Sequence, residues 1–357
     1  MKTLLFTLLT SFILMCVNSC VNDGNAAINA HATTLLDSLS GDGPFVMDDN
    51  ALYCITDYGT PTGNDSFFVV IRQFDKKTGS VQSIDITVPV KSGWDFGVDN
   101  RYYYLFLTDG TVRRVTKTAD HTVESILTVG YDIGPFKVDG DKMYMTTYSS
   151  DTANPAIRVL DFSSGLLTTL VEVEMEEYFL RLIDVDEKNV YYYGWQREAE
   201  DVIYRISKDE PVSQPVEIAR GDAISSPIRD NDNIYYIHEA LDDSYGYESL
   251  MRVSITGGVP ELVIQDIPDF DMDDEEFVVA DNVFYWGTRF GKLRMISLGD
   301  PQKKEVLLAQ RGTYDLGDDF SCWIGIDEDA LYWTAGTTEG VYVKENGNMG
   351  LFRTELE

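Results

Sequence analysis

The sequence predicts an all-β protein, a seven-bladed β-propeller whose blades are four-stranded antiparallel sheets. Three observations predict it: a sequence motif built around one Asp recurs, an Arg-bearing apolar strand follows each copy, and the last copy lacks a fourth strand. Four short strands in about forty to fifty residues are typical of a propeller blade. Of the 357 residues, 44% are hydrophobic, so the chain can bury a large core.

The recurring motif consists, in this order, of an apolar pair, an Asp, a short polar turn and an aromatic-rich strand. Phe45-Val46-Met47-Asp48 precedes Leu52-Tyr53 in the first copy, and in a looser copy Gly97-Val98-Asp99 precedes Tyr103. The Asp residues of the copies are Asp48, Asp99, Asp139, Asp186, Asp230, Asp281 and Asp327. Because Asp favours tight turns, each is expected to begin one.

The apolar strand after each copy of the motif carries one arginine. These residues are Arg72, Arg114, Arg158, Arg205, Arg252, Arg294 and Arg353. A residue needed in every blade serves the blade rather than a single active site. We therefore expect each guanidinium to bond turn backbone or a carboxylate of a neighbouring blade.

The two ends of the chain predict how the ring closes. The seventh copy stops at its third strand, Leu351 to Leu356. Near the N-terminus, Leu35-Leu36 is followed by Gly43-Pro44-Phe45. The same arrangement recurs at Ile126-Leu127, which is followed by Gly134-Pro135-Phe136. Ile126 and Leu127 belong to the predicted fourth strand of blade 2. Residues 33–39 are therefore expected to complete blade 7. Such closure removes the open sheet edges of a linear array.

The second strands resemble a known repeat. They include Leu331-Tyr332-Trp333-Thr334, Phe284-Tyr285-Trp286-Gly287 and Leu52-Tyr53-Cys54-Ile55-Thr56-Asp57. These resemble the YWTD repeat of low-density-lipoprotein-receptor-type propellers, and similar units occur in bacterial exported propellers of the TolB-like and lipoprotein kinds. The resemblance implies the fold and a tendency to bind proteins or peptides on one face.

The N-terminus predicts export. Lys2 precedes an apolar run from Leu4 to Met15, which has the length of a signal-peptide core. Val17-Asn18-Ser19-Cys20 resembles a bacterial lipobox, which implies acylation of Cys20, including palmitate. The alternatives are plain secretion with cleavage at Ala30-His31-Ala32 and a retained anchor.

The predicted organisation is a lipoprotein signal peptide at 1–19, a short tether at 20–32 and the propeller at 33–357. The lipid on Cys20 would anchor the chain to a membrane of the bacterial cell envelope, on the outer-membrane or periplasmic side. Cys54 and Cys322 are then the remaining thiols. They lie in blades that become neighbours in the ring, so the two cysteines either form a disulfide or remain as two buried thiols.

The charge of the chain limits its partners. Its formal net charge is −32, which repels phosphate backbones and excludes nucleic acid as a partner. With three His residues, a His-rich zinc or copper site is not expected.

The longest acidic loop, 266–276, is a candidate metal site. Asp269, Asp271 and Asp273 alternate along it, and Ca²⁺ accepts six to eight oxygens in loose geometry. The Gly and Glu of an EF-hand loop are missing. A solvated acidic loop and a site for a cationic partner are the other interpretations.

Several residues that break the repeat are candidates for a ligand-binding face. Trp94 with Asp95, and Trp195, combine a flat apolar surface with polar neighbours, as sugar and peptide sites do, and Trp323 also departs from the repeat. Packing between blades is the alternative for all of them. His238 follows a strand and is either a general base or a hydrogen-bonded structural residue.

Motifs of nucleophilic, phosphate-binding and zinc-protease sites are absent from the sequence. The sequence therefore favours a non-enzymatic envelope module that binds a protein, peptide or glycan. The alternative is a propeller hydrolase or lyase that uses a channel-bound Ca²⁺ and carboxylates. A permanent structural role in an envelope complex is a third possibility.

Overall fold

The computed structural model describes the strands of the protein and most of their tight turns. The described residues are 33–39, 45–58, 67–88, 93–107, 111–128, 132–148, 154–173, 178–196, 200–209, 214–238, 248–267, 270, 277–288, 292–310, 324–327, 330–336 and 349–356. They all belong to His31–Glu357, the second of two units into which the chain divides. Within these ranges we find no helix of the length and hydropathy needed to cross a membrane.

Each blade has a first, second, third and fourth strand. Blade 1 has β2 (Phe45–Met47), β3 (Ala51–Tyr58), β4 (Phe67–Asp75) and β5 (Val81–Val88); blade 2 has β6 (Gly93–Val98), β7 (Tyr102–Leu107), β8 (Thr111–Thr116) and β9 (Val123–Thr128). Blade 3 has β10 (Asp132–Asp139), β11 (Lys142–Tyr148), β12 (Ala156–Asp161) and β13 (Leu166–Glu172); blade 4 has β14 (Tyr178–Val185), β15 (Asn189–Gln196), β16 (Asp201–Ser207) and β17 (Val216–Gly221). Blade 5 has β18 (Ile224–Asp230), β19 (Asn233–His238), β20 (Ser249–Ser254) and β21 (Glu261–Ile264); blade 6 has β22 (Phe277–Ala280), β23 (Val283–Gly287), β24 (Lys292–Ser297) and β25 (Glu305–Gln310). Blade 7 has β26 (Ile324–Ile326), β27 (Ala330–Gly336) and β28 (Met349–Glu355), with β1 (Thr33–Leu39) as its fourth strand.

The blades form a ring, which confirms the predicted seven-bladed propeller. First strands of successive blades contact each other, as strands nearest the axis do. Among the described residues, an apolar cluster fills each of the seven junctions between blades, including the junction of blade 7 with blade 1. First strands pack so closely that a Cβ on Gly97 or Gly325 would lie within 3 Å of a ring atom of Phe136 or Phe45 in the next blade. The core therefore lies between the sheets.

Strand β1 lies antiparallel to β28 at the outer edge of blade 7. Thr33 is opposite Thr354 and Leu39 is opposite Met349, with a register shift between Leu35 and Asp37. The predicted segment therefore occupies the fourth-strand position. Its contribution to holding the ring closed stays a prediction.

The recurring Asp residues make the expected turns in two ways. In blades 1, 2, 4 and 7 the carboxylate accepts backbone N–H groups of the turn, as Asp48 does from Asn50 and Ala51 at 2.8 and 2.9 Å. Blades 3, 5 and 6 instead use two-residue turns that contain left-handed residues, such as Gly140 at φ 59° and Asn231 at φ 51°. Asp and Asn tolerate this conformation better than other non-glycine residues do.

A tyrosine at an equivalent position of each second strand is part of the same recurring motif. These residues are Tyr53, Tyr104, Tyr144, Tyr191, Tyr235, Tyr285 and Tyr332. In blades 1, 2 and 4 the hydroxyl donates to the Asp of the same blade, at 2.9, 2.6 and 2.6 Å. In blade 2 this residue is Tyr104, one position beyond the Tyr103 that the sequence pairs with Asp99.

The third-strand arginines lie where expected, but their ion partners are in their own blade. Arg114 binds Glu124 at 2.8 Å and Arg252 binds Glu261 at 2.7 Å, and both glutamates are on fourth strands. Arg294 likewise pairs with Glu305. The expectation of a carboxylate from a neighbouring blade is wrong for these residues, because each guanidinium reaches a glutamate on the adjacent fourth strand of its own blade.

In three blades, the residue that follows the third strand bonds to the preceding blade. In blades 1, 2 and 4 this residue is a lysine that reaches the turn Asp of the preceding blade. Lys76 binds Asp327 at 3.1 Å and Lys117 binds Asp48 at 2.5 Å. These contacts place the first-to-second and third-to-fourth turns on one side of the ring, the turn face. We call the opposite side, where the other connections lie, the rim.

Candidate functional site

Two of the predicted ligand-face residues lie on the facing sheets of blades 4 and 5, at the rim end of the junction between them, which we call the rim cleft. Trp195 is near the rim end of β15, and His238 is the last residue of β19. Trp94 and Asp95 lie on β6, the first strand of blade 2, where the structure describes the backbone. Cys20, Asp269, Asp271, Asp273, Cys322 and Trp323 lie outside the described residues. Cys54 is buried in the cluster between blades 7 and 1.

The register of blade 4 determines which side chains face the cleft. Leu180 and Leu182 pack toward blade 3, whereas Ile183 and Tyr193 pack toward blade 5. Side chains alternate along a strand, and directly opposed residues share a face. Phe179 is opposite Trp195, and Arg181 is opposite Tyr193. All four side chains are therefore on the wall that faces blade 5.

The Phe179–Trp195 pair is exposed at the rim. Phe179 is 52% exposed and Trp195 is 36% exposed, and their ring centroids are 5.1 Å apart. Most other aromatic side chains of the described strands lie in the junctions between blades. Trp195 is therefore only partly covered by its neighbours, and the alternative that it serves packing between blades stays a prediction. The pair offers an apolar surface of two tilted rings to solvent.

The opposite wall is held in place by two hydrogen bonds to one residue. The hydroxyl of Tyr193 donates to the carbonyl of Ile224 at 2.7 Å, and the buried carboxylate of Asp201 accepts the N–H of Ile224 at 2.8 Å. Ile224 is directly opposite the half-buried His238 in blade 5. The first strand of blade 5 is thus fixed against blade 4 just below the exposed aromatic pair.

Arg181 adds a positive charge to the sheet face that carries the aromatic pair. Its side chain is exposed and lies two residues along β14 from Phe179, about 7 Å at the usual strand rise. No carboxylate of the described residues pairs with it. A guanidinium with this exposure can donate two parallel hydrogen bonds to a carboxylate.

The turn-face end of the same junction is an ion cluster. Arg229 of β18 binds Asp184 at 2.8 Å and lies 3.6 Å from Asp186. Burial would raise the pKa of Asp186, but hydrogen bonds from Tyr191 and from turn N–H groups, with the nearby Arg229, lower that pKa overall. Burial and the bond to Asp186 raise the pKa of Tyr191 to about 12, so the phenol keeps its proton and donates it. This end of the cleft holds two blades together.

A second concavity lies on the turn face between blades 7 and 1. Its volume is about 560 Å³, and Met47, Lys76, Ile326 and Tyr332 contribute to its lining. Lys76 crosses this junction to Asp327, and both belong to the pattern that recurs between blades. The cavity is therefore explained by the closure of the ring.

The described residues contain no group of three His, Cys, Asp or Glu side chains arranged to hold a metal ion. The acidic loop residues proposed for Ca²⁺ are outside these ranges, so the Ca²⁺ site stays a prediction.

Sequence reasoning missed Phe179 and Arg181. Phe179 stands in the apolar run Tyr178-Phe179-Leu180, which is typical of a buried strand. Its pairing with Trp195, a residue that breaks the repeat, is the signal that identifies it. Arg181 is notable because first strands of four other blades, β2, β6, β22 and β26, carry no cation.

Comparisons with solved structures agree with the fold. The chain is similar to an oligogalacturonate lyase in complex with manganese, with a TM-score of 0.61 and 9% identity over 92% of this chain and 98% of that one. It is also similar to the Dos1 propeller, with a TM-score of 0.55 and 9% identity over 91% and 95%. A protein from Lactobacillus plantarum matches with a TM-score of 0.51 and 13% identity over 75% and 84%. At these identities the likeness shows the fold alone.

No family model matches this chain, and neither does any curated protein sequence.

Proposed function

We propose that this protein is a lipid-anchored β-propeller of the bacterial cell envelope that binds a protein, peptide or glycan without catalysing a reaction. The rim cleft between blades 4 and 5 is the binding site. The observation that carries the proposal is the exposed Phe179–Trp195 pair, two aromatic rings in contact at the rim. Solvated aromatic rings beside polar groups are typical of recognition sites.

The rigidity of the cleft supports a binding role. Tyr193 and Asp201 fix Ile224, so the two walls keep their spacing without a ligand. A preformed site spends less free energy on ordering its walls when a ligand binds. His238 supplies a ring nitrogen on the wall opposite Trp195 and would contribute a hydrogen bond rather than act as a base.

Binding is tested by incubating immobilised protein with solubilised envelope proteins and with cell-wall glycans. We expect a defined component to bind the unchanged protein and to be lost with Trp195→Ala. Leu166→Ala is the matched control, because Leu166 is 62% exposed on the fourth strand of blade 3, away from the cleft. Retention that Trp195→Ala leaves unchanged would contradict the proposed site.

Anchoring is tested separately. Cells fed an alkyne analogue of palmitate should label the unchanged protein and leave Cys20→Ser unlabelled. Labelling that persists in Cys20→Ser, or its absence from both, argues against a lipid on Cys20.

The second candidate is a metal-dependent propeller lyase or hydrolase. The fold likeness to a lyase solved with manganese brings it into consideration, and the acids Asp269, Asp271 and Asp273 would supply the ligands. Metal analysis after dialysis, combined with melting in the presence of a chelator, discriminates the two functions. Bound metal in stoichiometric amount, lost when the three aspartates are changed to Asn, would favour the enzyme.

A further inference from the structure

We propose that the ligand of the rim cleft is an acidic saccharide, whose pyranose ring lies on Trp195 and Phe179 while its carboxylate binds Arg181. The inference rests on the proposed binding function and names the ligand class of that site. It is carried by the placement of an exposed guanidinium next to exposed aromatic rings on one sheet face.

The first strands of blades 3, 4 and 5 each carry one cation, and the three are not equivalent. Arg229 is held by two carboxylates, whereas Lys137 is 55% exposed and only 3.8 Å from Asp184, which Arg229 already binds. Arg181 has no carboxylate partner among the described residues. In a chain with a net charge of −32, cations left available to solvent point to an anionic group on the ligand.

The dimensions of the wall suit one sugar unit. Arg181 and Phe179 are two residues apart on the same face of β14, about 7 Å along the strand, so one sugar unit can contact both side chains. Aromatic rings pack against the C–H groups of a sugar, and an Arg–carboxylate pair supplies a directional bond.

The blade 5 wall favours a saccharide over an acidic peptide. His238 and the exposed Asp222 lie on or beside this wall, at the rim end of blade 5. Sugar hydroxyls can donate to a carboxylate and to a ring nitrogen. A polyglutamate chain would place further negative charges near Asp222, which is unfavourable.

The test measures binding of short uronate oligosaccharides, from galacturonate, alginate and hyaluronate, by calorimetry and tryptophan fluorescence. Methyl esters of the same oligosaccharides keep the rings and remove the charge. We expect at least one acid to bind more tightly than its ester. Arg181→Gln should weaken binding of that acid by about 10- to 100-fold and leave the ester unchanged. Trp195→Ala should abolish both.

Arg220→Gln is the control, because Arg220 is also exposed but lies on β17 and pairs with Glu217 at 2.6 Å.

Equal binding of acid and ester, lost in Trp195→Ala and unaffected by Arg181→Gln, would overturn the acidic ligand while leaving the binding function intact. Preference for oligoglutamate over every uronate, or binding of none of these saccharides, would also overturn it. If Arg181→Gln lowers stability and leaves ligand preference unchanged, Arg181 serves the fold and the inference fails. Failure of the binding function itself would appear as Trp195→Ala having no effect on any captured component.

Discussion

The turn face and the rim of this propeller use polar residues in different ways. On the turn face, Asp, Tyr and Lys recur at equivalent positions, and where they bond they join turns or neighbouring blades. At the rim of blades 4 and 5, Phe179, Arg181 and Trp195 occur once and remain accessible to solvent. The difference teaches that repetition marks residues the fold requires, whereas an exposed departure from the repeat marks a candidate for function.

The largest expected effect concerns the strand that joins the two chain ends. A variant lacking residues 1–39 loses the partner of β28, and a variant lacking residues 1–32 keeps it. We expect the shorter chain to unfold at lower urea and to associate through the bare edge of β28. Light scattering and urea unfolding measure this. Identical behaviour of the two variants would mean that β1 does not hold the ring closed.

Removing a lysine of the turn face should cost nearly as much. The side chains of Lys117 and Asp48 are 14% and 6% exposed and bind at 2.5 Å. Lys117→Ala leaves Asp48 buried without its counter-charge, which we expect to cost about 3 kcal/mol of unfolding free energy. Lys77→Ala, at an exposed turn position, is the control and should cost less than about 0.5 kcal/mol.

The ionisation of this pair reflects its surroundings. Burial would raise the pKa of Asp48, but Lys117, turn N–H groups and Tyr53 lower it overall. Burial lowers the pKa of Lys117, and the attraction of Asp48 offsets only part of that effect. Both pKa values are lowered, which favours the charged form of Asp48 but disfavours the charged form of Lys117, because Asp48 also receives hydrogen bonds that do not involve the lysine. If Lys117→Ala and Lys77→Ala cost the same, the pair is not a lock between blades.

Equivalent aspartates of blades 4 and 5 should respond to pH in opposite directions. The pKa of Asp186 is lowered in the folded protein. The carboxylate therefore stabilises the fold above the pKa of the unfolded chain, about 3.9, and this stabilisation is lost as pH falls through the pKa of the folded protein. Asp186→Asn should therefore cost about 1 to 2 kcal/mol at neutral pH and almost nothing in acid.

Burial, together with the charge of Asp281, outweighs Asn231 and Arg229 and raises the pKa of Asp230. The charged form of Asp230 therefore costs stability above the folded pKa, and this cost disappears in acid below the unfolded value. Asp230→Asn should be neutral or stabilising by up to about 0.5 kcal/mol at neutral pH. Urea unfolding at several pH values checks both variants, and equal profiles would contradict the assigned shifts.

A small loss of stability is also expected at the rim. Trp195→Ala removes a side chain that is 36% exposed, so unfolding free energy should fall by less than about 1 kcal/mol. Trp333 is fully buried against Phe352, and Trp333→Ala should cost about 3 to 5 kcal/mol. A large loss in Trp195→Ala would show that the rim aromatics serve packing after all.

The sequence predicted the parts of this structure that depend on local chemistry and repetition. Asp48 and its equivalents are explained by turn preference, and the positions of the arginine strands are explained by the period. The partners of the arginines were not predicted, because Glu124 and Glu261 are opposed to them only once the fourth strand takes its register. Register is set by the whole sheet, so spacing along the chain does not reveal it.

The candidate site was predicted in part for the same reason. Trp195 and His238 stand out as departures from the repeat, but their presence on facing walls depends on the packing of blade 4 against blade 5. Phe179 has the sequence context of a core residue. It is exposed near the end of a strand, a placement that its sequence context does not reveal.

The pairing of β1 with β28 also bears on the order in which the chain can fold. Leu35 meets Phe352 across 317 residues of sequence, so β1 has no partner strand until synthesis has reached the C-terminal region. Contacts this distant are formed late and slowly. A nascent chain can assemble its middle blades as they emerge, but damage near either terminus would strike the same sheet.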